Sequence, residues 1–291
     1  MSTKNAVLPL VDSRDFHNAD PRNIKNEYRF FLKTVQSGAV RTLIDAIKEI
    51  VVDTNIVFDE KGLYIKAIDI TQNAMVEARL NADRFEEYIC SERVICGVSL
   101  MHLHQLLKTM SSTDILMLFM EKVKNVLEIR IENNRKPKTT IFKLPTLDLA
   151  GPDRRWKDNN PVFDHTISID SAEFHKIVRE AKNMGPSLEI QSHKNTLRFQ
   201  VVEGTFVSEA SWYIGVEPSN QSNVLVQGVF SVHYLTLFTK CSPLSKKVNI
   251  FLKNDYPLWL QYDVSDLGTI ILVLMTEDDP RSENHNSYKA F

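Results

Sequence analysis

One pattern of apolar residues occurs twice in this chain, and this repeat restricts the fold more than any other feature. A predicted helix within 37–52 has apolar residues at steps of three and four, and an offset of 134 residues superposes it on a similar pattern within 171–185. An offset of 132 superposes a second predicted helix, within 97–110, on a fourth within 228–245. The matched apolar pairs of the first offset are Val40 and Phe174, Leu43 and Ile177, Ile44 and Val178, Ile47 and Ala181, and Ile50 and Met184. The chain is therefore expected to contain two copies of one folding unit.

Segments with strand-like alternation lie between the helices in both halves. Lys61-Gly62 separates two such segments in the first half and Lys194-Asn195 does so in the second, as expected for β-hairpins. Helices that lie beside runs of antiparallel strands are typical of the α+β class. We therefore predict an α+β fold of two similar domains, each with two helices packed on antiparallel sheet.

Changes in composition predict where these domains begin and end. Residues 1–27 and 278–291 are polar and aperiodic, so we predict a flexible extension and a flexible tail. Residues 149–161 are rich in Pro, Gly, Asn and charge, which indicates a linker. The N-terminal domain is then expected over 28–148 and the C-terminal domain over 162–277.

The bulk composition is that of an ordinary globular protein. Of the 291 residues, 43% are hydrophobic and 25% are charged, and the formal net charge is −2. Three cysteines without a CxxC pair favour a reducing compartment. The N-terminus shows no secretory signal pattern, and no apolar run approaches the roughly 20 residues that span a bilayer. The sequence predicts an intracellular, soluble protein without a membrane partner.

Motifs that would indicate catalysis or a cofactor are missing from the sequence. It contains no GxSxG, GxGxxG or P-loop pattern. Cys90, Cys96, His102 and His104 match no familiar zinc spacing, and the two thiols are predicted to lie in the core. Asp69 and Asp148 are interpreted as structural or docking groups. We predict that the protein is not an enzyme and has no metal or cofactor.

Basic residues recur on the polar faces of all four predicted helices. Arg41 and Lys48 are seven residues apart and share one face, while Lys176 and Arg179 are three apart. Lys108 and Lys240 close the second helix of each half. A solvated surface would explain any one of these helices. Cations on all four also suit phosphate oxygens, whose contacts supply affinity without sequence specificity.

The segment VFSVHYLTLFTKCSPLSKKVNIFLKNDYPLWLQYDVSDLGTIILVLM, residues 229–275, resembles the DNA sliding clamps of the proliferating cell nuclear antigen (PCNA) family. The similarity covers about residues 29–277 and depends on the order and spacing of several pieces. The supporting pieces are SGAVRTLIDAIKEI, GLYIKAID, GVSLMHLHQLLK, KLPTLDL and SAEFHKIVREAKNMG.

The resemblance implies a closed ring, usually of three copies, that encircles duplex DNA with helices lining the hole. It implies a processivity factor that tethers DNA polymerase and other replication or repair proteins, is opened by a clamp loader, and acts in the nucleus or a viral replication compartment. The positions that match DNA-facing cations of the family are Arg41, Lys48, Lys108, Lys176, Arg179 and Lys240, with His233 beside them. Gln105 and His233 stand where a basic residue is common, so this lining is less cationic.

The family also docks partners that carry a short peptide motif in an apolar pocket on the outside. The matching positions are Ile68, Met75, Leu147, Pro257, Val273 and Met275. Trp156 in the linker is either exposed as a further docking anchor or folded onto the sheet. Gln72 replaces a usual His and Val273 replaces a usual aromatic residue. The N-terminal extension suits a divergent or viral member.

Contacts between copies are expected at strand edges. In the family, a strand near the end of domain one pairs with a strand of the neighbour's domain two, here about 138–144 and 205–213. Two alternatives remain. The chain could be a checkpoint-type clamp subunit that assembles with different partner chains, or a DNA-processing nuclease. The nuclease hypothesis lacks a carboxylate cluster with metal-ligand spacing.

Overall fold

The computed structural model describes residues 27–133, 135, 137–150, 161–202, 209–216 and 224–277. The predicted extension, most of the predicted linker and the predicted tail therefore lie outside the described residues. The elements of the first half are β1 (Tyr28–Thr34), α1 (Ser37–Ile47), β2 (Asp53–Asp59), β3 (Gly62–Ile68), β4 (Ala74–Asn81), β5 (Glu87–Cys90), β6 (Val94–Ser99), α2 (Leu100–Leu107), β7 (Ile115–Glu121), β8 (Val126–Glu132) and β9 (Thr139–Pro145).

The second half repeats this order, and its described residues include no counterpart of β5. Its elements are β10 (His165–Asp170), α3 (Ser171–Lys182), β11 (Ser187–His193), β12 (Thr196–Val202), β13 (Ser211–Gly215), β14 (Val226–Ser231), α4 (Val232–Phe238), β15 (Lys247–Leu252), β16 (Leu258–Val264) and β17 (Gly268–Leu274). Short 3₁₀ helices cover Ala82–Arg84 and Thr239–Leu244.

All four predicted helices are present, but two begin later than the sequence predicts. The residues before α2 and α4 belong to β6 and β14, because these strands pair with β2 and β11 as far as Ser99 and Ser231. The carboxylate of Asp170 accepts hydrogen bonds from the amides of Ala172 and Glu173 and thereby caps α3. The helix positions matched by the repeat are buried, apart from the half-buried Ile50 and Met184.

The strands form three antiparallel sheets, which confirms the α+β class and adds a feature that the sequence does not reveal. One sheet has the order β5-β1-β7-β8-β9 and another has the order β13-β12-β11-β14. The third sheet spans both halves with the order β10-β15-β16-β17-β4-β3-β2-β6. Each half therefore divides its strands between two sheets.

The repeat is also visible in the strand order. The unit β1-β7-β8-β9 of the first half corresponds to β10-β15-β16-β17 of the second, and β4-β3-β2-β6 corresponds to β13-β12-β11-β14. The two halves are joined where β17 pairs with β4, from Gly268 opposite Leu80 to Leu274 opposite Ala74. Gly268 is required there, since a Cβ atom would lie 1.9 Å from the Arg79 carbonyl oxygen.

The helices pack on one face of these sheets. α1 contacts α2 and the 3₁₀ helix Thr239–Leu244 of the other half, while α3 contacts α4 and lies over β10 and β15. One apolar core extends through both halves beneath the helices. In the described part of the chain, no helix is long and apolar enough to cross a membrane. The other face of the shared sheet, called the outer face below, carries alternate residues of the same strands.

Candidate nucleic-acid interface and docking surface

The helix layer is positively charged although the chain as a whole is not. The helical segments 37–50, 100–109, 171–184 and 232–244 contain seven Lys or Arg against four Asp or Glu, a net charge of +3, whereas the chain has −2. Such an asymmetry attracts a polyanion to one side of a molecule.

Three of the predicted DNA-facing cations are exposed on this layer. Lys108 lies at the end of α2, and Lys176 and Arg179 lie on α3. None of the three forms an ion pair with a described residue. Lys182, one turn further along α3, is also exposed, which adds a fourth cation to this group. These side chains can reach an anionic ligand without first breaking a contact.

The other predicted cations are held by the protein itself. The Arg41 guanidinium donates a hydrogen bond of 2.6 Å to the Met110 carbonyl oxygen, which ties α1 to the loop after α2. Lys48 lies 3.0 Å from Asp45 and 2.5 Å from Glu49. Lys240 lies 3.1 Å from the same Glu49 carboxylate, so this group links the two halves. His233 is exposed, with its ring 5.3 Å from that of Tyr234.

The electrostatics of these groups agree with a positive surface. Hydrogen bonds from Lys48 and Lys240 lower the pKa of Glu49. Burial lowers the pKa of His104, and the charges of Lys48 and Lys108 lower it further, although Asp45 acts in the opposite direction. His104, 3.1 Å from Asp45, is therefore expected to be a neutral hydrogen-bonding group at neutral pH.

Part of the predicted docking set lies in one row on the outer face. Ile68 of β3 is opposite Met75 of β4, and Met75 is opposite Val273 of β17. Met75 and Val273 are each only 2% exposed. Pro257 and Met275 flank this row and are half-buried. These five positions are therefore brought together across the junction between the halves.

The remaining docking positions lie elsewhere. The Leu147 amide donates a hydrogen bond of 2.8 Å to the Gly97 carbonyl oxygen of β6, three strands away from β4. Gly97 permits this approach, because a Cβ atom there would lie 2.2 Å from the Leu147 carbonyl oxygen. Asn55 of β2 then donates to the Ala150 carbonyl oxygen at 2.9 Å. Trp156 lies outside the described residues.

An aromatic cluster on the outer face was missed by the sequence reasoning. The Phe163 ring lies 5.3 Å from Phe251 and from Trp259, and 5.9 Å from Tyr256. Trp259 is opposite Val273 in the β16–β17 ladder, so this cluster adjoins the docking row. The sequence marks Trp259 as a strand residue but gives no sign that Phe163 covers it.

Asp69 connects the docking side to the helix layer. It is buried, and its carboxylate accepts hydrogen bonds of 2.6 Å from the Ala74 amide, 2.5 Å from the Thr71 hydroxyl and 2.7 Å from the Tyr234 hydroxyl of α4. Burial alone would raise the pKa of Asp69, but these hydrogen bonds outweigh it and lower the pKa. The geometry supports a structural role for Asp69 as a tie between the two halves.

Replacement of Tyr234 by Phe should make unfolding less dependent on acid. Because the pKa of Asp69 is lower in the folded state than its ordinary value of 3.8, the ionised carboxylate stabilises the fold fully at pH values above 3.8. This stabilisation is lost as the pH falls through the folded-state pKa. Tyr234→Phe removes one donor from Asp69, so the free energy of unfolding at pH 7 should fall by about 1–3 kcal/mol. Urea titrations between pH 2.5 and 7, at one protein concentration, measure both quantities. Tyr256→Phe, at a half-buried tyrosine whose hydroxyl forms no hydrogen bond with a described residue, is the control. Identical pH profiles for Tyr234→Phe and the unaltered chain would contradict this role.

The cysteines are buried and unpaired. Burial raises the pKa of Cys96 and of Cys241 to about 12. No group of three or more His, Cys, Asp or Glu residues among the described residues could hold a metal ion.

The fold and these surfaces define a class of protein: two-domain α+β clamps with basic helices on one face and sheets on the other. The chain belongs to the PCNA family, since the family's N-terminal domain matches residues 30–151 and its C-terminal domain matches residues 158–277. Members of this family are DNA polymerase processivity factors and not enzymes.

Several relatives resemble about four fifths of the chain. A protein named "Probable DNA polymerase sliding clamp 1" from Paramecium bursaria Chlorella virus 1 is 27% identical over 84% of this chain and 95% of the relative. The proliferating cell nuclear antigen of Chaetomium thermophilum is 28% identical, over 79% and 90%. Proliferating cell nuclear antigen 2 of Drosophila melanogaster is 28% identical, over 81% and 92%.

Proposed function

We propose that three copies of this chain form a closed ring around duplex DNA and tether DNA polymerase to its template. The observation that carries this proposal is the β17–β4 junction. There, the last strand of the unit β10-β15-β16-β17 pairs with the first strand of the unit β4-β3-β2-β6. The corresponding strands of the other two units are β9 and β13, and each lies at the edge of its sheet with no partner among the described residues.

An intermolecular β9–β13 ladder would repeat the junction that already exists inside the chain. Such a contact is head-to-tail, and a head-to-tail contact closes into a ring when its rotation allows. Because each copy contributes two similar domains, three copies give a ring with six similar domains. The number three follows from the family resemblance.

The backbone of both edge strands is available for this pairing. At the two ends of the β8–β9 ladder, the Asn133 amide donates to the Lys138 carbonyl oxygen and the Thr146 amide donates to the Asn125 carbonyl oxygen. Hydrogen-bonded residues alternate along an antiparallel ladder. The backbone N–H and C=O groups of residues 139, 141 and 143 of β9 are therefore directed away from β8. The β12–β13 ladder is flanked by hydrogen bonds from the Val216 amide to Asn195 and from the Val201 amide to Ala210. By the same alternation, the backbone groups of residues 211, 213 and 215 of β13 are directed away from β12. Ile141 and Tyr213, at the centre of these edges, are 52% and 65% exposed.

In such a ring the helix layer faces the DNA. Lys108, Lys176 and Arg179 would supply the main phosphate contacts, with Lys182 beside them. The positive electrostatic field of the helix layer would also include the charges of Arg41, Lys48 and Lys240, which hold the helices together. Four exposed cations per copy favour a loose, salt-sensitive contact that permits sliding.

The outer face carries the proposed docking surface for peptide-bearing partners, including the polymerase and a clamp loader. Ile68, Pro257 and Met275 offer partly exposed apolar area around the row of Met75 and Val273. Leu147 and Trp156 remain proposed anchors of the linker. The protein acts at a site of DNA replication, which we propose to be the nucleus or a viral replication compartment.

Mass in solution tests assembly by this chain alone. Light scattering over a dilution series should give about 100 kDa, three times the chain mass of 33.4 kDa. A mass of 33.4 kDa at every concentration would contradict a ring made of this chain alone. It would favour the alternative, a clamp subunit that requires different partner chains.

A further inference from the structure

The five-stranded sheet ends at β5, and this edge lies beside a cleft that the proposed function does not use. β5 pairs with β1 on one side, and no described residue pairs with it on the other side, called its open edge below. The cleft has a volume of about 570 Å³. It is lined by Glu60 of the β2–β3 turn, by Asp83 of the 3₁₀ helix after β4, and by β5 residues that include Tyr88 and Cys90.

The backbone of β5 carries hydrogen-bonding groups at this open edge. Lys33 of β1 is opposite Glu87 of β5, and its carbonyl oxygen accepts a hydrogen bond of 3.1 Å from the Glu86 amide. Hydrogen-bonded residues alternate along an antiparallel ladder, so the N–H and C=O groups of Tyr88 and Cys90 are directed away from β1. Two amides and two carbonyls are therefore placed to pair with one further strand, which is how a sheet edge binds an extended peptide.

Hydrogen bonds fix the shape of the cleft. The Tyr88 hydroxyl lies 2.7 Å from the carbonyl oxygens of Asp59 and Gly62, so β5 is tied to the β2–β3 hairpin. The Ala82 amide donates a hydrogen bond of 2.9 Å to the Lys61 carbonyl oxygen, which ties the 3₁₀ helix to the same turn. The three elements that line the cleft are therefore held together without a ligand.

The surroundings of the cleft are acidic, in contrast to the helix layer. Residues 59–61 and 82–93 contain six Asp or Glu and three Lys or Arg, a net charge of −3. Burial raises the pKa of Cys90, and the charges of Asp59 and Glu60 raise it further, so the negative field extends into the cleft. A surface of this sign repels nucleic acid and attracts a cationic partner.

Two carboxylates that line the cleft are open to a ligand. Glu60 is exposed and forms no ion pair with a described residue. The Asp83 side chain is 77% exposed and lies 3.9 Å from Arg84, at the limit of an ion pair. Glu87, by contrast, lies 2.8 Å from Lys33 and is already paired. A basic side chain in the cleft would therefore meet two carboxylates that the fold itself does not need.

We propose that the open edge of β5 binds an extended basic segment of a partner protein. The segment adds to the sheet as a sixth strand and places a lysine or arginine side chain between Glu60 and Asp83. Because β5 has only four residues, its ladder is short and the charged contact supplies the specificity. β5 and β9 lie at opposite ends of the sheet, so this site does not depend on ring formation or on DNA binding.

A fluorescein-labelled hexapeptide of alternating lysine and valine is the probe for this site. Fluorescence anisotropy in about 0.15 M NaCl should show saturable binding to the full chain. Glu60→Gln with Asp83→Asn should weaken binding at least about tenfold, because both charges line the cleft. Glu173→Gln with Asp263→Asn removes the same charge at exposed positions elsewhere and should change the affinity less than about twofold. Equal losses from both pairs, or no saturable binding up to about 1 mM probe, would overturn the proposal.

N-methylation of the probe separates strand addition from attraction by charge. Methyl groups on the three lysine amides, or on the three valine amides, remove the donors along one side of the extended peptide and keep its charge. One of these two peptides should bind at least about tenfold more weakly than the other, since only one side pairs with β5. Equal affinities would show that charge alone holds the probe, and the proposed sixth strand would be wrong.

Hydrogen exchange measured by mass spectrometry locates the bound probe. Binding should slow exchange at the amides of Tyr88 and Cys90, because each lies at the open edge of β5. Exchange in β9 and β13 should not change. Protection of β9 or β13 instead of β5 would assign the probe to the other sheet edges and overturn the proposal, while the proposed ring would be unaffected by a failure at β5.

Discussion

Proline at position 141 is expected to convert the ring into monomers while the chain remains folded. The amide of Ile141 is directed away from β8, so Ile141→Pro removes no hydrogen bond within the chain. Pro145 already occupies an equivalent outward-facing position of β9. In the ring, however, the substitution removes a ladder hydrogen bond and leaves a buried carbonyl of the neighbouring copy unpaired. The unpaired carbonyl should weaken the contact between copies by about 1–3 kcal/mol. The added steric clash of the proline ring should further weaken each contact, and light scattering would report the loss of mass.

The same change on the other edge gives a stricter test. Tyr213→Pro should also yield monomers, because residue 213 is directed outward from β13. The Ile141→Pro variant keeps an intact β13, and the Tyr213→Pro variant keeps an intact β9. When the two are mixed, these strands can pair once, so a heterodimer of about 67 kDa should form, twice 33.4 kDa. If Tyr213→Pro remained a full-size ring while Ile141→Pro did not, the head-to-tail pairing of β9 with β13 would be wrong.

Replacing Lys108, Lys176 and Arg179 together by alanine is expected to abolish most duplex binding. These are exposed cations of the helix layer without an ion pair among the described residues. Each phosphate contact contributes about 0.9 to the slope of log affinity against log salt, so the slope should fall by up to about 2.7 per copy. Affinity at low salt should fall at least about tenfold. Fluorescence anisotropy with a labelled duplex at several salt concentrations measures both effects.

A matched control removes the same charge elsewhere. Lys61, Lys122 and Arg93 are exposed in connections between strands, and their replacement by alanine also removes two lysines and one arginine. This triple variant should keep the slope and most of the affinity. Equal losses from both triple variants would show that net charge, and not the helix layer, controls binding. Light scattering on both variants would show whether the ring is intact.

The sequence alone predicts the helix layer well, because helical periodicity and the repeat both act over short distances along the chain. The buried faces of α1 and α3 follow from Val40, Leu43, Phe174 and Ile177, all of which lie in the core. The starts of α2 and α4 were predicted too early, since Val98 and Val229 suit a strand as well as a helix. Apolar periodicity cannot place such a boundary to within a few residues.

The sequence alone could not predict which strands pair when they are distant along the chain. Nothing in residues 74–81 or 268–274 indicates that these strands pair and join the halves, because ladder hydrogen bonds use backbone groups that all residues share. The charge pairing of the candidate lining was missed for another reason, because the sequence shows neither how a long side chain turns nor which helices lie side by side. Lys48 and Lys240 match the family's DNA-facing positions, yet both contact Glu49, and one of these contacts crosses between the halves. The family resemblance predicts edges at about 138–144 and 205–213, whereas the described edge strands are Thr139–Pro145 and Ser211–Gly215, and their pairing stays a prediction.

Retention on end-blocked DNA tests the central claim most directly, namely that the protein encircles its duplex. The chain is threaded onto a linear duplex from its free end, the end is then blocked, and the complex is washed in about 0.5 M NaCl, where the Debye length is only about 4 Å. An encircling ring should remain on the blocked duplex and leave when a restriction enzyme cuts it or when the end is left open. A protein that washes off blocked and open duplex alike would contradict the clamp account, since its hold on DNA would then be electrostatic and not topological.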